Sequence, residues 1–71
     1  MEITKKKAQS LGKYFKIDYS KTPFMEFYNG LLIESEHADI LKGNYHTLTR
    51  IVMAHLDEHP RYYYYLKKAG L

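Results

Sequence analysis

Ala8, Leu11 and Phe15 recur at spacings of three and four, the interval that places side chains on one face of a helix. Thr4 precedes them as an N-cap candidate, so a first helix is expected from there to about Phe15. Gly12 weakens it by about 1 kcal/mol relative to Ala. Asp18-Tyr19-Ser20-Lys21 reads as a loop. Thr22-Pro23 offers a cap followed by proline at the first helical position. Phe24, Phe27, Tyr28, Leu31 and Leu32 then form the stripe of a second helix that continues to His37 or Ala38. Lys42-Gly43-Asn44 marks a turn, with Asn44 capping a third helix from Tyr45 to about Glu58. Leu48, Ile51, Val52, His55 and Leu56 make its apolar face, with His55 near the centre. Pro60 interrupts the chain, and 61–68 can form a short fourth helix ended by Gly70. On that helix Tyr62, Tyr65 and Leu66 are expected to face inward and Tyr63 and Tyr64 outward. No segment alternates as a strand does. The pattern therefore predicts an all-α fold, a small bundle of three to four helices, in one domain over residues 1–71.

Size changes what such a bundle needs. A chain of 71 residues buries only about 60% of the surface its unfolded form exposes. Domains this small commonly rely on disulfides, a metal or a second subunit. With no cysteine in the chain, disulfides and thiolate metal sites are excluded. An ion held by histidine and carboxylate, or self-association, remains open.

Charge adds less. The formal net charge is +3, with lysines gathered at 5–7, 13 and 16 and again at 67–68. Such ends can attract phosphate or an acidic partner, although a solvated helix face accounts for them equally simply. The first residues, charged and followed by no apolar run, do not read as a signal peptide. No apolar stretch approaches the ~18–20 residues that span a bilayer, so no membrane partner is expected.

Tyrosine is the unusual residue: eight in all, four of them consecutive from Tyr62 to Tyr65. Flanked by Arg61, Lys67 and Lys68, exposed rings there could stack on the bases of a single strand. Packed rings with hydroxyls at the rim, or a patch for a protein partner, are the alternatives.

Candidate chemistry lies in two mirrored segments. Glu34 and His37 stand three residues apart, and His55 and Glu58 repeat the pair in reverse. Side chains at i and i+3 share a helix face, and Glu-x-x-His on facing helices is a way bundles hold metals. Glu34, His37, His55 and Glu58 could thus bind zinc, iron or manganese, for which imidazole and carboxylate are suitable donors. The same residues allow a reading without metal: His55 hydrogen-bonds Glu34 across a helix pair and fixes its register. His55-x-x-Glu58-His59 also matches a reversed zinc-protease motif, but that chemistry needs a large cleft and a distant third ligand. There is no Gly-rich phosphate loop, no serine elbow and no thiol nucleophile.

The segments Asn29-Gly30-Leu31, Ile33 to His37, and Arg50 to Tyr63 with Leu66 resemble a family of small uncharacterised domains found in bacteria, bacteriophages and large DNA viruses. The family pattern runs G-hydrophobic-x-x-E-x-E-H and then I-A-x-x-H-L-x-E-x-P-x-Y-Y-x-x-L. The resemblance covers about 27–66 and implies that Glu34, Glu36, His37, His55, Glu58, Pro60, Tyr62 and Tyr63 are its motif positions. It brings no known activity. His59 falls on a free position of the pattern, which weakens the protease reading further. With no signal peptide and no cysteine the chain is expected to be cytoplasmic and not secreted, and the viral members of the family it resembles add a virion-associated setting. The first expectation is a non-enzymatic helical module acting through a protein partner or self-association, such as a viral or phage accessory or virion component. A divalent-metal protein is the second, and a nucleic-acid binder using the basic and Tyr-rich ends is the third.

Overall fold

A computed structural model describes residues 3–37 and 44–70 of the chain, with the side chain of His37 outside that description. Ala38, Lys42 and Gly43, expected at a helix end and a turn, also lie outside the described residues. Four helices run in order: α1 (Lys5–Phe15), α2 (Phe24–His37), α3 (Tyr45–Glu58) and α4 (Tyr62–Lys68). Among the described residues there is no strand, and the fold is a small all-α bundle. No helix there is long and apolar enough to cross a membrane.

The helix ends follow local chemistry. The Thr4 hydroxyl accepts from the Lys7 amide at 3.0 Å, and the Asn44 side chain accepts from the Thr47 amide at 3.0 Å. Each satisfies a donor that the first helical turn leaves without a partner. Helix α1 ends at Lys16, which takes a left-handed conformation with φ 57° and whose amide reaches the Gly12 and Lys13 carbonyls. At the far end, Gly70 adopts φ 81° and its amide reaches the Lys67 carbonyl, the expected glycine stop. Helix α2 departs from expectation by one residue. Pro23 sits at the junction, and its carbonyl accepts from the Glu26 and Phe27 amides. Lacking an N–H of its own, proline loses nothing there.

The core consists of Ile3, Ala8, Leu11, Phe27, Leu31, Leu48, Val52, Leu56 and Tyr63. Helix α2 packs against the other three helices, and α1 and α4 each lean on the α2–α3 pair. The expected inward faces of α1, α2 and α3 are the observed ones. Thr49, wholly buried on α3, returns its hydroxyl to the Tyr45 carbonyl at 2.7 Å, so it carries no unsatisfied group inward.

On α4 the expectation fails in part. Tyr63 is the buried ring, 1% exposed, while Tyr65 is 52% exposed and faces out beside Tyr64. Tyr62 and Leu66 are half-buried. The reason lies on α2. A Cβ built on Gly30 would stand 2.6 Å and 2.7 Å from Tyr63 ring carbons and 2.8 Å from Val52 Cγ1. Glycine therefore leaves a slot that the Tyr63 ring fills, and a phase set by this slot outweighs the helical spacing of four similar tyrosines.

Candidate functional site

Helix α2 presents three residues to α4 at intervals of four: Glu26, Gly30 and Glu34. A spacing of i, i+4, i+8 keeps them in one row along the helix. Each acts on α4 differently. The Glu26 carboxylate, largely buried, accepts from the Tyr64 amide at 2.6 Å. Arg61, at the N-cap of α4, makes no side-chain cap hydrogen bond, so Glu26 supplies from another helix the acceptor that α4 lacks locally. Gly30 admits the Tyr63 ring. Glu34 receives the Tyr63 hydroxyl, which donates to Oε2 at 2.7 Å.

Helix α3 completes the group with His55. Its Nδ1 lies 2.9 Å from the Tyr63 hydroxyl and 3.0 Å from Glu34 Oε2, closing a triangle across three helices. The proton count assigns the tautomer. Tyr63 has one hydrogen and gives it to Glu34, so Nδ1 must carry the hydrogen shared between the two oxygens. Against the His55 ring lies Tyr62, stacked with centroids 4.5 Å apart and planes 14° from parallel. His55 Nε2 has no hydrogen-bond partner among the described residues. No side-chain polar atom there is both buried and unpartnered, so Nε2 faces solvent. The triangle is thus half-open: the His55 and Glu34 side chains are 32% and 17% exposed, while Tyr63 is sealed.

Burial first, and then donation to the Glu34 carboxylate with the nearby negative charge of that group, raises the Tyr63 pKa far above the ordinary tyrosine value. The hydroxyl is held as a neutral donor, not prepared to give up its proton.

Of the four metal-ligand candidates, Glu34 and His55 meet. Glu58 is exposed on the last turn of α3, and the side chain of His37 lies outside the described residues. Among the described residues no three histidine, aspartate or glutamate side chains are grouped so that they could share an ion. Glu36 is exposed, and so is His59, whose Nδ1 accepts from the Arg61 amide at 3.1 Å in the turn before α4. Sequence reasoning identified the Glu34–His55 contact but missed Tyr63 as its third member and Glu26 as a cap. The available signal was the row of acid, glycine and acid at positions 26, 30 and 34, flanking the apolar stripe.

Five surface clefts, the largest about 700 Å³ and lined by α1 and the start of α3, include none of Glu34, His55 and Tyr63 in their walls. The polar triangle joins helices instead of lining one of these clefts. Fold and site together define a class: a small helical bundle whose fourth helix is pinned by a half-open polar latch. The chain belongs to the family of proteins of unknown function DUF5661, whose model matches residues 8–70. No curated protein and no solved structure matches it.

Proposed function

We propose that this chain is a non-enzymatic helical interaction module, and that its working surface is the outer side of α4. One observation carries the reading: the acid, imidazole and phenol are spent on one another across α2, α3 and α4. The Tyr63 hydroxyl, the Glu34 carboxylate and His55 Nδ1 are committed to one another; His55 Nε2 alone stays free, with no described side chain within hydrogen-bond reach to act as its nucleophile and none of the five clefts bringing a substrate to it. What the latch does is present a two-turn helix that would not hold its shape alone. The presented face carries Tyr64 and Tyr65, 44% and 52% exposed, beside Arg61 and Lys68. Large exposed rings next to cations are typical of contact surfaces. The resemblance to phage and large-virus proteins adds one setting for such a module, an accessory or virion component.

The rival reading is a divalent ion on Glu34, His37, His55 and Glu58. Elemental analysis of protein purified without a tag, combined with thermal unfolding in zinc, manganese, iron(II) and chelator, separates the two. The module reading expects no stoichiometric metal and a melting temperature indifferent to all four additions. A stoichiometric ion that is lost, together with folding, in His55→Ala overturns it.

A further inference from the structure

The face that α4 turns outward has a definite chemistry. From Arg61 to Gly70 the chain carries three cations, Arg61, Lys67 and Lys68, and no acid. The Arg61 guanidinium lies 4.4 Å from the Tyr64 ring centroid, and Lys68 Nζ lies 5.8 Å from the same ring. Tyr65 stands edge-on to Tyr64, with centroids 5.2 Å apart and planes at 81°. On α2, Glu26 is buried and occupied by the Tyr64 amide, so it does not offset the positive charge outside, whereas exposed Glu36 shares a cleft with Lys67 on the flank of α4 away from Tyr64 and Tyr65. The next acids in sequence, Asp57 and Glu58, belong to the last turn of α3.

We infer that this face binds single-stranded nucleic acid, with Tyr64 and Tyr65 as stacking platforms for bases and Arg61 and Lys68 as contacts to the phosphates. The inference rests on the reading of α4 as the working surface and names the partner of that surface. Charge complementarity favours a polyanion, and the two exposed rings favour one with flat π-faces to stack. An acidic peptide would use the cations and leave both rings idle. The angle between the rings selects against a duplex. Paired bases lie parallel and cover one another's faces, whereas rings nearly perpendicular to each other can each take a base only from a strand free to splay.

Fluorescence anisotropy of the full chain with labelled oligo(dT), a mixed-sequence RNA strand and a duplex of equal length tests this. Both single strands are expected to bind, the duplex at least about tenfold more weakly. A contact to two phosphates predicts a log–log salt slope of about −1.4 between roughly 50 and 200 mM salt. Tyr64→Ala and Tyr65→Ala are each expected to weaken binding about five- to a hundredfold. Their melting curves should stay at the wild-type position, since both side chains are exposed and Glu26 holds only the backbone amide at 64. Lys5→Ala with Lys6→Ala on α1 is expected to change affinity less than twofold. No binding at low salt overturns the proposal. So does binding lost with the α1 lysines but not with the tyrosines, or displacement of the strand by polyglutamate at equal charge concentration. If oligonucleotides fail while Tyr64→Ala and Tyr65→Ala still abolish concentration-dependent self-association in light scattering, the working face stands and its ligand is wrong.

Discussion

Tyr63 carries two jobs in one side chain: its ring fills the space over Gly30 and its hydroxyl closes the triangle with Glu34 and His55. Tyr63→Phe keeps the ring and removes the hydroxyl. Glu34 then loses one donor but retains His55, so the expected loss is moderate, about 1–2 kcal/mol in urea unfolding followed by circular dichroism. The same group sets an alkaline limit. Its folded pKa lies above its unfolded value near 10, so the folded state binds the proton more tightly. The stability this contributes is complete below about pH 10 and is lost as pH climbs from there towards the folded pKa. Tyr63→Phe should therefore show a shallower fall of stability above pH 10 than the parent, and equal slopes would show that the hydroxyl is not buried as described. Gly30 meets the same ring from the other side. Alanine there gains up to about 1 kcal/mol of helix propensity. It also drives a methyl into Tyr63 and Val52 at less than 3 Å, and overpacking of this kind costs about 1–3 kcal/mol. A net lowering of the melting temperature is expected, in contrast to the gain that Gly→Ala gives at an open helical site.

At the scale of elements, the four helices draw on different supports. Helices α1 and α3 have side-chain N-caps from Thr4 and Asn44. Their ends were legible in the sequence because a cap and the amide it serves lie within three residues. Helix α4 has no such cap, and its seven residues are too few to persist alone in water. Its cap comes from Glu26, 38 residues earlier. Glu26→Ala is expected to cost about 1–2 kcal/mol and to speed hydrogen exchange at the Tyr64 amide selectively. Uniform acceleration across α1 as well would indicate a general loss of packing. The orientation of α4 was not legible, and the reason is specific. Four tyrosines in a row give no contrast between faces, so periodicity cannot choose among them. The Gly30 slot and the Glu34 acceptor, both on another helix, make the choice.

For the whole molecule, α2 and α3 form the pair on which the other two helices rest. Because α4 is held chiefly by the row Glu26, Gly30 and Glu34, it should open as a unit before the rest unfolds. Two measurements check this. Native-state hydrogen exchange should place the α4 amides at lower protection than the buried turns of α2 and α3. A double-mutant cycle of Glu26→Ala and Tyr63→Phe should show a coupling of at least about 0.5 kcal/mol, because once one tether is cut the other holds a partly released helix. Strict additivity would mean that the two contacts act independently.

The sequence by itself determined the class of the fold, the helix boundaries to within a residue, the inward faces of α1, α2 and α3, and the pairing of Glu34 with His55. All of these depend on local spacing or on an acid at the edge of one apolar stripe and an imidazole within another. Tertiary structure alone decided which tyrosine is buried, which carboxylate caps α4, and that the acid–imidazole pair includes a phenol. Those outcomes depend on the depth of a slot and the reach of a side chain between helices 29 to 38 residues apart in the chain. Free energy at such contacts is set by three-dimensional fit, which the order of the letters does not carry.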